Sequence, residues 1–347
     1  MSATEISSRP ADQATPSLPR PGRTRVNLGF SRFSGLYVWA VIIAIFSVWV
    51  PSVFLTRQTL ISLVSDEAVT AILALGLLFT LAAGAFDLSI GQNLGVSALI
   101  TATLSTVAEW DPWLSALVAI VCCTIVGLVN GLLVARVGIN SLIATLGMTS
   151  VLLALSQVIS DQQFRGPVPD GFRALTAWQP LGIPAIAIYA IVLAFLAWYV
   201  LEHTPFGRKM YATGASPEAA FLSGVRTSRY LLLSFVFSGF AAGVAGVLLT
   251  SKIGSIGPTI GPSYLLPCFA ACFLGTTQIK PGKFNVWGTL IAIGLLATGV
   301  KGLQLVGGQQ WITDAFNGVA LIGAVSIAVV ASRRAAAGRR RNGARAQ

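Results

Sequence analysis

Residues 230–250 read YLLLSFVFSGFAAGVAGVLLT and carry no Asp, Glu, Lys or Arg. About 20 consecutive apolar residues suffice for an α-helix to cross the hydrocarbon core of a bilayer, and a helix satisfies its own backbone hydrogen bonds where there is no water. The stretch therefore predicts a transmembrane helix near 229–250. Working outward by apolar run and breaker, further spans are predicted near 36–55, 67–83, 88–107, 113–135, 141–160, 181–201, 263–279, 284–305 and 311–331. The separators support this division. Glu109-Trp110-Asp111-Pro112-Trp113 joins charges, a proline and two tryptophans, the make-up of a loop at a membrane surface. Composition agrees as well, since the 347 residues are 54% hydrophobic and only 10% charged, whereas an ordinary soluble domain is about one quarter charged. The expected fold is all-α and polytopic, with about ten transmembrane helices filling 36–331.

The net charge of +11 would suit a nucleic-acid binder, but the basic residues occupy tails and loops, where membrane orientation places them. With both tails on one side, all but Arg57, Arg165, Arg173, Lys252 and Lys301 of the 23 basic residues fall on that side. Asp66, Glu67, Glu109, Asp111, Asp161, Asp170 and Asp314 fall on the other. The positive-inside rule then predicts both termini in the cytoplasm, with basic tails at 1–35 and 332–347. The first tail has no apolar core, so it reads as a disordered segment and not a cleaved signal peptide. Cys122, Cys123, Cys268 and Cys272 all lie in apolar stretches without zinc-like pairing, so they read as small hydrophobes.

Several function classes fail on specific residues. The nearest approach to a phosphate loop, Gly275 to Lys283, has six residues between its glycines and then Phe284 where a Ser or Thr must hold magnesium. It reads as a cytoplasmic turn anchored by two lysines. A metalloenzyme is unsupported by one histidine, His203, and no G-x-S-x-G elbow is present. An ion-coupled carrier needs acidic or histidine groups at depth, and only Asp87 has apolar sequence on both sides. Neutral cargo driven by an external energy source fits better, with an ion-coupled sugar or polyol carrier as the alternative.

The loop at 202–228 is the most informative local feature. Within it Ser216 is placed to cap, Pro217 suits a first helical position, Glu218 complements the helix dipole, and Gly224 is placed to close the helix in a left-handed conformation. This predicts a short bounded helix whose Ala219, Ala220, Phe221 and Leu222, followed by Ser223, suit docking into a groove of another protein; the alternative, an interfacial helix on lipid headgroups, fits less well because so short a helix offers little apolar area.

At these residues the chain resembles the permease subunits of ATP-binding-cassette sugar importers, the ribose, xylose, galactoside and rhamnose branch. Phe86-Asp87-Leu88-Ser89-Ile90-Gly91 is similar to that family's G-I-D-L-S-V-G segment, and Asn130-Gly131-Leu132-Leu133-Val134 with Ile143-Ala144-Thr145-Leu146-Gly147 resembles its N-G-x-L-V and I-A-T-L-G pair. Gly207-Arg208 through Gly214, then Glu218-Ala219-Ala220 to Ser223-Gly224, resembles its coupling loop. Phe86 departs from the usual Ile, and Ala215 from a second glycine. The resemblance implies a type II-importer-like permease fold in a bacterial inner membrane. It also implies a second permease copy or paralogue, an ATPase subunit inside that holds ATP and magnesium, and a periplasmic sugar-binding protein outside. The chain itself is then expected to bind no cofactor, and residues 217–223 become the coupling helix.

Asp87 carries two compatible readings, an N-cap for the third span and a group lining the translocation path. Phe86, Asn93, Phe269 and Gln304 join it as pathway candidates, because aromatics stack on sugars and amides hydrogen-bond them. Gly127-x-x-x-Gly131 and Gly239-x-x-x-Gly243 predict close helix packing. The Gly- and Pro-broken stretch 254–262 predicts a broken or re-entrant helix at 263–279. A faint echo between 131–138 and 246–254 suggests an inverted repeat.

Overall fold

The computed structural model describes residues 34–309 and 311–326. The helices run α1 (Ser34–Trp49), α2 (Pro51–Phe54), α3 (Arg57–Ala82), α4 (Ile90–Thr106), α5 (Pro112–Leu132), α6 (Ser141–Ser160), α7 (Asp170–Ala177), α8 (Ala185–Trp198), α9 (Pro205–Ala215), α10 (Pro217–Leu222), α11 (Thr227–Ile253), α12 (Leu265–Gly275), α13 (Val286–Leu305) and α14 (Trp311–Ser326). π-turns at Leu133–Val137 and Tyr199–His203 extend α5 and α8. Among the described residues the β pairing is a single antiparallel bridge, Arg165 with Ile256. The basic tails expected at 1–35 and 332–347 lie, apart from residues 34 and 35, outside the described residues.

Six helices are long and apolar enough to cross a bilayer: Arg57–Ala82, Pro112–Val137, Ser141–Ser160, Ala185–His203, Thr227–Ile253 and Val286–Leu305. Gly35–Trp49, Gly261–Gly275 and Trp311–Ser326 are apolar but shorter. The chain is thus a multi-pass all-α membrane protein, and length and composition alone do not reach ten spans. Two of the expected spans fall short for visible reasons. The span expected at 88–107 is α4, which carries Gln92, Asn93, Ser97, Thr101 and Ser105, all buried, so protein rather than lipid surrounds it. The span expected at 263–279 is interrupted: the chain enters through the 3-10 turn Gly261–Tyr264, and α12 ends at Gly275.

The helix boundaries follow from their caps. Asp111 accepts from the N–H groups of Trp113 and Leu114 at 2.9 and 3.0 Å, and Pro112 takes the first position of α5. α3 starts earlier than the expected 67, at Arg57, because Thr56 accepts from the Thr59 N–H. Asp66 and Glu67 therefore lie inside α3, and Lys252 of α11 meets Asp66 at 2.7 Å.

α11 forms the spine, packed along α5, α3 and α4. Small residues permit this. A Cβ on Gly127 would stand 2.3 Å from the Phe235 carbonyl, and one on Gly239 would stand 2.5 Å from the Cys123 carbonyl, so the two glycine motifs face each other with backbones in contact. Hydroxyls then bridge the close helices, Ser97 donating to the Gly243 carbonyl at 2.7 Å and Thr250 to the Ala98 carbonyl at 3.1 Å. The cysteines are all free thiols, and Cys268 and Cys272 are buried where α12 meets α3. Facing outward, Leu117, Val121 and Ile125 of α5 and Ile143, Val151 and Val158 of α6 remain exposed. Such a face is stable only against lipid or another apolar surface.

Candidate functional site

The loop predicted to dock a partner is built as two helices at an angle. Thr204 accepts from the Gly207 N–H at 3.3 Å and starts α9. The chain turns at Ser216 (φ −160°, ψ 96°) and Pro217 opens α10. Ser216 occupies the cap position, but its side chain makes no cap hydrogen bond. The end of α10 is closed by a Schellman motif: the Val225 N–H donates to the Ala220 carbonyl and the Gly224 N–H to that of Phe221, with Gly224 at φ +81°. Only Ala220 of this helix is buried. Glu218 and Ala219 are exposed, while Phe221 and Leu222 are 69% and 85% exposed.

Behind α10, the end of α9 rests on the connection between α3 and α4. A Cβ on Gly214 would lie 2.3 Å from the Ala82 carbonyl and 2.8 Å from the Gly84 nitrogen, and Gly84 itself sits at φ +82°. No larger residue fits this crossing without moving one backbone. Two residues past Gly84 comes Phe86-Asp87.

Asp87 is the hub of the interior. One carboxylate oxygen accepts from the Ser89 N–H at 3.1 Å and the Ser89 hydroxyl at 2.6 Å, and the other accepts from the Ser238 hydroxyl of α11 at 2.6 Å. Ser89, not Asp87, holds the N-cap position of α4. Asp87 braces the turn before it. Asn130 of α5 donates to the Ser89 hydroxyl at 2.8 Å. A comb of hydroxyls on α6 holds the same segment. Ser141 accepts from the Phe86 N–H at 3.2 Å and Thr145 from the Leu88 N–H at 3.1 Å, while Thr149 donates to the Leu88 carbonyl at 3.1 Å. Segments 86–91, 130–134 and 143–147, distant in sequence, thus meet at one point.

The other pathway candidates divide. Phe86 and Phe269 stack with centroids 6.4 Å apart, and Phe273 completes a triangle of near-parallel rings at the same separation from each. Phe284 touches Phe273 edge-on at 5.4 Å. Asn93 points elsewhere, donating to the Cys123 carbonyl of α5 at 3.1 Å. Among the described residues the buried amide oxygens of Gln92, Asn93 and Asn130 have no hydrogen-bond partner. Gln304 lies at the far end of the bundle, donating to Thr313 at 3.1 Å. There Thr313 borders a cavity of about 90 Å³ with Glu67, Thr70, Tyr264 and Asn317.

Sequence reading passed over Phe273, Ser238 and the crossing of Gly84 with Gly214. Phe273 had a signal, since it follows Phe269 by one helical turn. Ser238 had none, because its partner lies 151 residues away.

Comparison with known proteins places this geometry. The ribose import permease protein RbsC of Bacillus subtilis is 31% identical over 310 residues, covering 88% of this chain and 92% of that protein. The D-allose transport system permease protein AlsC of Escherichia coli K12 is 29% identical, over 86% of this chain and 92% of its own. The L-arabinose transport system permease protein AraH of the same organism is 29% identical, over 85% and 90%. No solved structure matches the chain significantly. A family model described as branched-chain amino acid transport system / permease component matches residues 59–325, which include α10, the Asp87 hub and the aromatic triangle. The chain belongs to that permease-component family.

Proposed function

We propose that this chain is the non-catalytic permease subunit of an ATP-binding-cassette importer, and that it passes a monosaccharide into the cytoplasm. The observation that carries the coupling is α10, a six-residue helix closed at its end by Gly224 and presenting Phe221 and Leu222 away from the bundle. Exposing two such side chains forgoes about 1.5–3 kcal/mol each, which a protein groove recovers on docking. The cargo class rests on the relatives, named for ribose, allose and arabinose.

On this reading α10, with Ser216, Pro217, Glu218, Ala219, Ala220, Phe221, Leu222, Ser223 and Gly224, seats in a partner ATPase that holds ATP and magnesium. Movement there passes through α9 to Gly84 and displaces Phe86 and Asp87. The triangle of Phe86, Phe269 and Phe273 forms the apolar gate, over which a sugar's C–H faces slide. The unpaired amide oxygens of Asn93 and its neighbours offer acceptors to sugar hydroxyls, and Gln304 belongs to the outer mouth.

The six long helices, the three shorter apolar ones and the buried α4 make up the ten passes. Both termini then lie in the cytoplasm of a bacterial inner membrane, and a periplasmic binding protein delivers cargo to the acidic end. The exposed apolar faces of α5 and α6 suit lipid or a second permease copy. The inverted repeat draws support from its two echoing segments, which close at opposite ends of the bundle on left-handed glycines, Gly138 at φ +84° and Gly254 at φ +81°.

Vesicles containing the permease, its ATPase and its binding protein test the reading. ATP should drive accumulation of sugar, and Ala220→Trp, which wedges α10 off its seat, should abolish it with ATPase co-purification. Accumulation by the chain alone on a proton or sodium gradient, indifferent to nucleotide, would overturn it.

A further inference from the structure

At the end of the bundle that carries α9 and α10 lies a cavity of about 710 Å³. Arg208, Lys280 and Lys283 line it, and Glu202 is the acid among its lining residues. Glu202 is already committed: it pairs with Lys280 and accepts from the Trp198 indole at 3.0 Å. Among the described residues neither Arg208 nor Lys283 has an ion-pair partner. The cavity therefore keeps uncompensated positive charge.

Phe284 and Tyr211 add aromatic surface to its wall, and Leu81 and Leu201 back it from the buried side. Its depth is fixed by the helices that end there, α3 at Ala82 and the π-turn of α8 at His203. The aromatic girdle stands at the same level, with Trp198 and Trp287 5.9 Å apart and Phe195 5.0 Å from Trp287. Tryptophans so placed mark the headgroup layer. The turn carrying the lysines is rigid, because Asn285 donates to the carbonyls of Gly275, Gln278 and Lys283 at 3.0–3.2 Å and accepts from the Gly288 N–H. Tyr211 is likewise fixed, its hydroxyl donating to the Phe284 carbonyl at 2.6 Å. Burial pushes that phenol well above its ordinary range, so it stays neutral and adds no negative charge.

We propose that this cavity seats the phosphodiester of an anionic phospholipid, with Arg208 and Lys283 on the phosphate and the acyl chains leaving past the half-buried Phe284. Two cations without ion-pair partners on one cavity at headgroup depth match that anionic headgroup. The proposal is independent of the cargo. It places a lipid beside α9, one element removed from the docking helix.

The test uses the full chain, purified in detergent, stripped of lipid and offered phosphatidylglycerol, phosphatidylethanolamine or inorganic phosphate. The parent chain should retain phosphatidylglycerol and melt at a higher temperature with it, more than with phosphatidylethanolamine. Arg208→Gln with Lys283→Gln should lower phosphatidylglycerol retention about thirtyfold and leave phosphatidylethanolamine retention unchanged. Arg226→Gln with Arg229→Gln removes the same charge outside the cavity and should leave both unchanged. If the first pair fails to fold, Lys283→Gln alone in the exposed turn gives the same direction. Equal retention by parent and variant overturns the assignment. So does stabilisation by inorganic phosphate that matches the lipid, which points to a soluble phosphate ester. Loss of ATPase association with lipid retention intact overturns it too, since the cations would then contact protein.

Discussion

Two short helices lie at opposite ends of the bundle, and each carries one phenylalanine. On α7, Phe172 is 2% exposed and meets Trp113 edge-on at 5.6 Å, while its carbonyl accepts from Ser251 of α11 at 2.8 Å. On α10, Phe221 is 69% exposed and Leu222 more so. The same residue type is spent on sealing the bundle at one end and is left uncovered at the other. α7 is therefore part of the fold's own closure, whereas α10 leaves its apolar side chains on the surface, as the proposed docking requires.

The largest expected effect separates the two phenylalanines. Phe172→Ala removes a buried ring and should destabilise the purified chain by about 3–5 kcal/mol, read as a large fall in melting temperature or loss of folded protein. Phe221→Ala should change stability by less than about 0.5 kcal/mol while weakening ATPase co-purification. If both variants lose stability equally, α10 is not a free surface and the contrast fails. Next, Gly214→Val forces a side chain into the Ala82 carbonyl and should cost about 1–3 kcal/mol. It should also reduce ATP-driven uptake while the ATPase still binds. Asp87→Ala leaves the Ser238 and Ser89 hydroxyls without their acceptor, at about 1–3 kcal/mol, and should lower folded yield. Asp87→Asn keeps an acceptor oxygen and should retain most of it. Equal loss of transport in both, with normal expression, would instead assign the charge itself a role. The last and most local effect belongs to Gly224→Ala, which places a Cβ at φ +81° for about 1 kcal/mol within α10. It should fray α10 and halve ATPase association without moving the melting transition of the bundle.

Much of this was legible from local sequence. The long apolar runs placed α5, α6, α8, α11 and α13 to within about four residues at each end, because lipid imposes a length on an uncharged helix. Pro217 and Gly224 bounded α10, since both act within one or two residues. What escaped depends on distant partners. Asp66 and Glu67 hid the first ten residues of α3, because the cation that takes up Asp66 is 186 positions away. α7 sits between the spans expected at 141–160 and 181–201, and its eight residues form a helix with Phe172 and Thr176 docked on the bundle. At the site, motif segments pointed to Asp87 and Phe86, but convergence of Ser238, Asn130 and Thr145 on that segment is a product of packing. Gln304, a candidate by residue type and position in its span, lies at the opposite end beside Thr313.

The meeting of Gly84 with Gly214 has a mechanical consequence. A contact between ordinary side chains is compliant, because rotamers swing and absorb an ångström of displacement before anything behind them moves. Here peptide planes abut with no rotatable bond between them, so a shove on one is delivered undiminished to the other. Stiffness at that point comes from what the two residues lack.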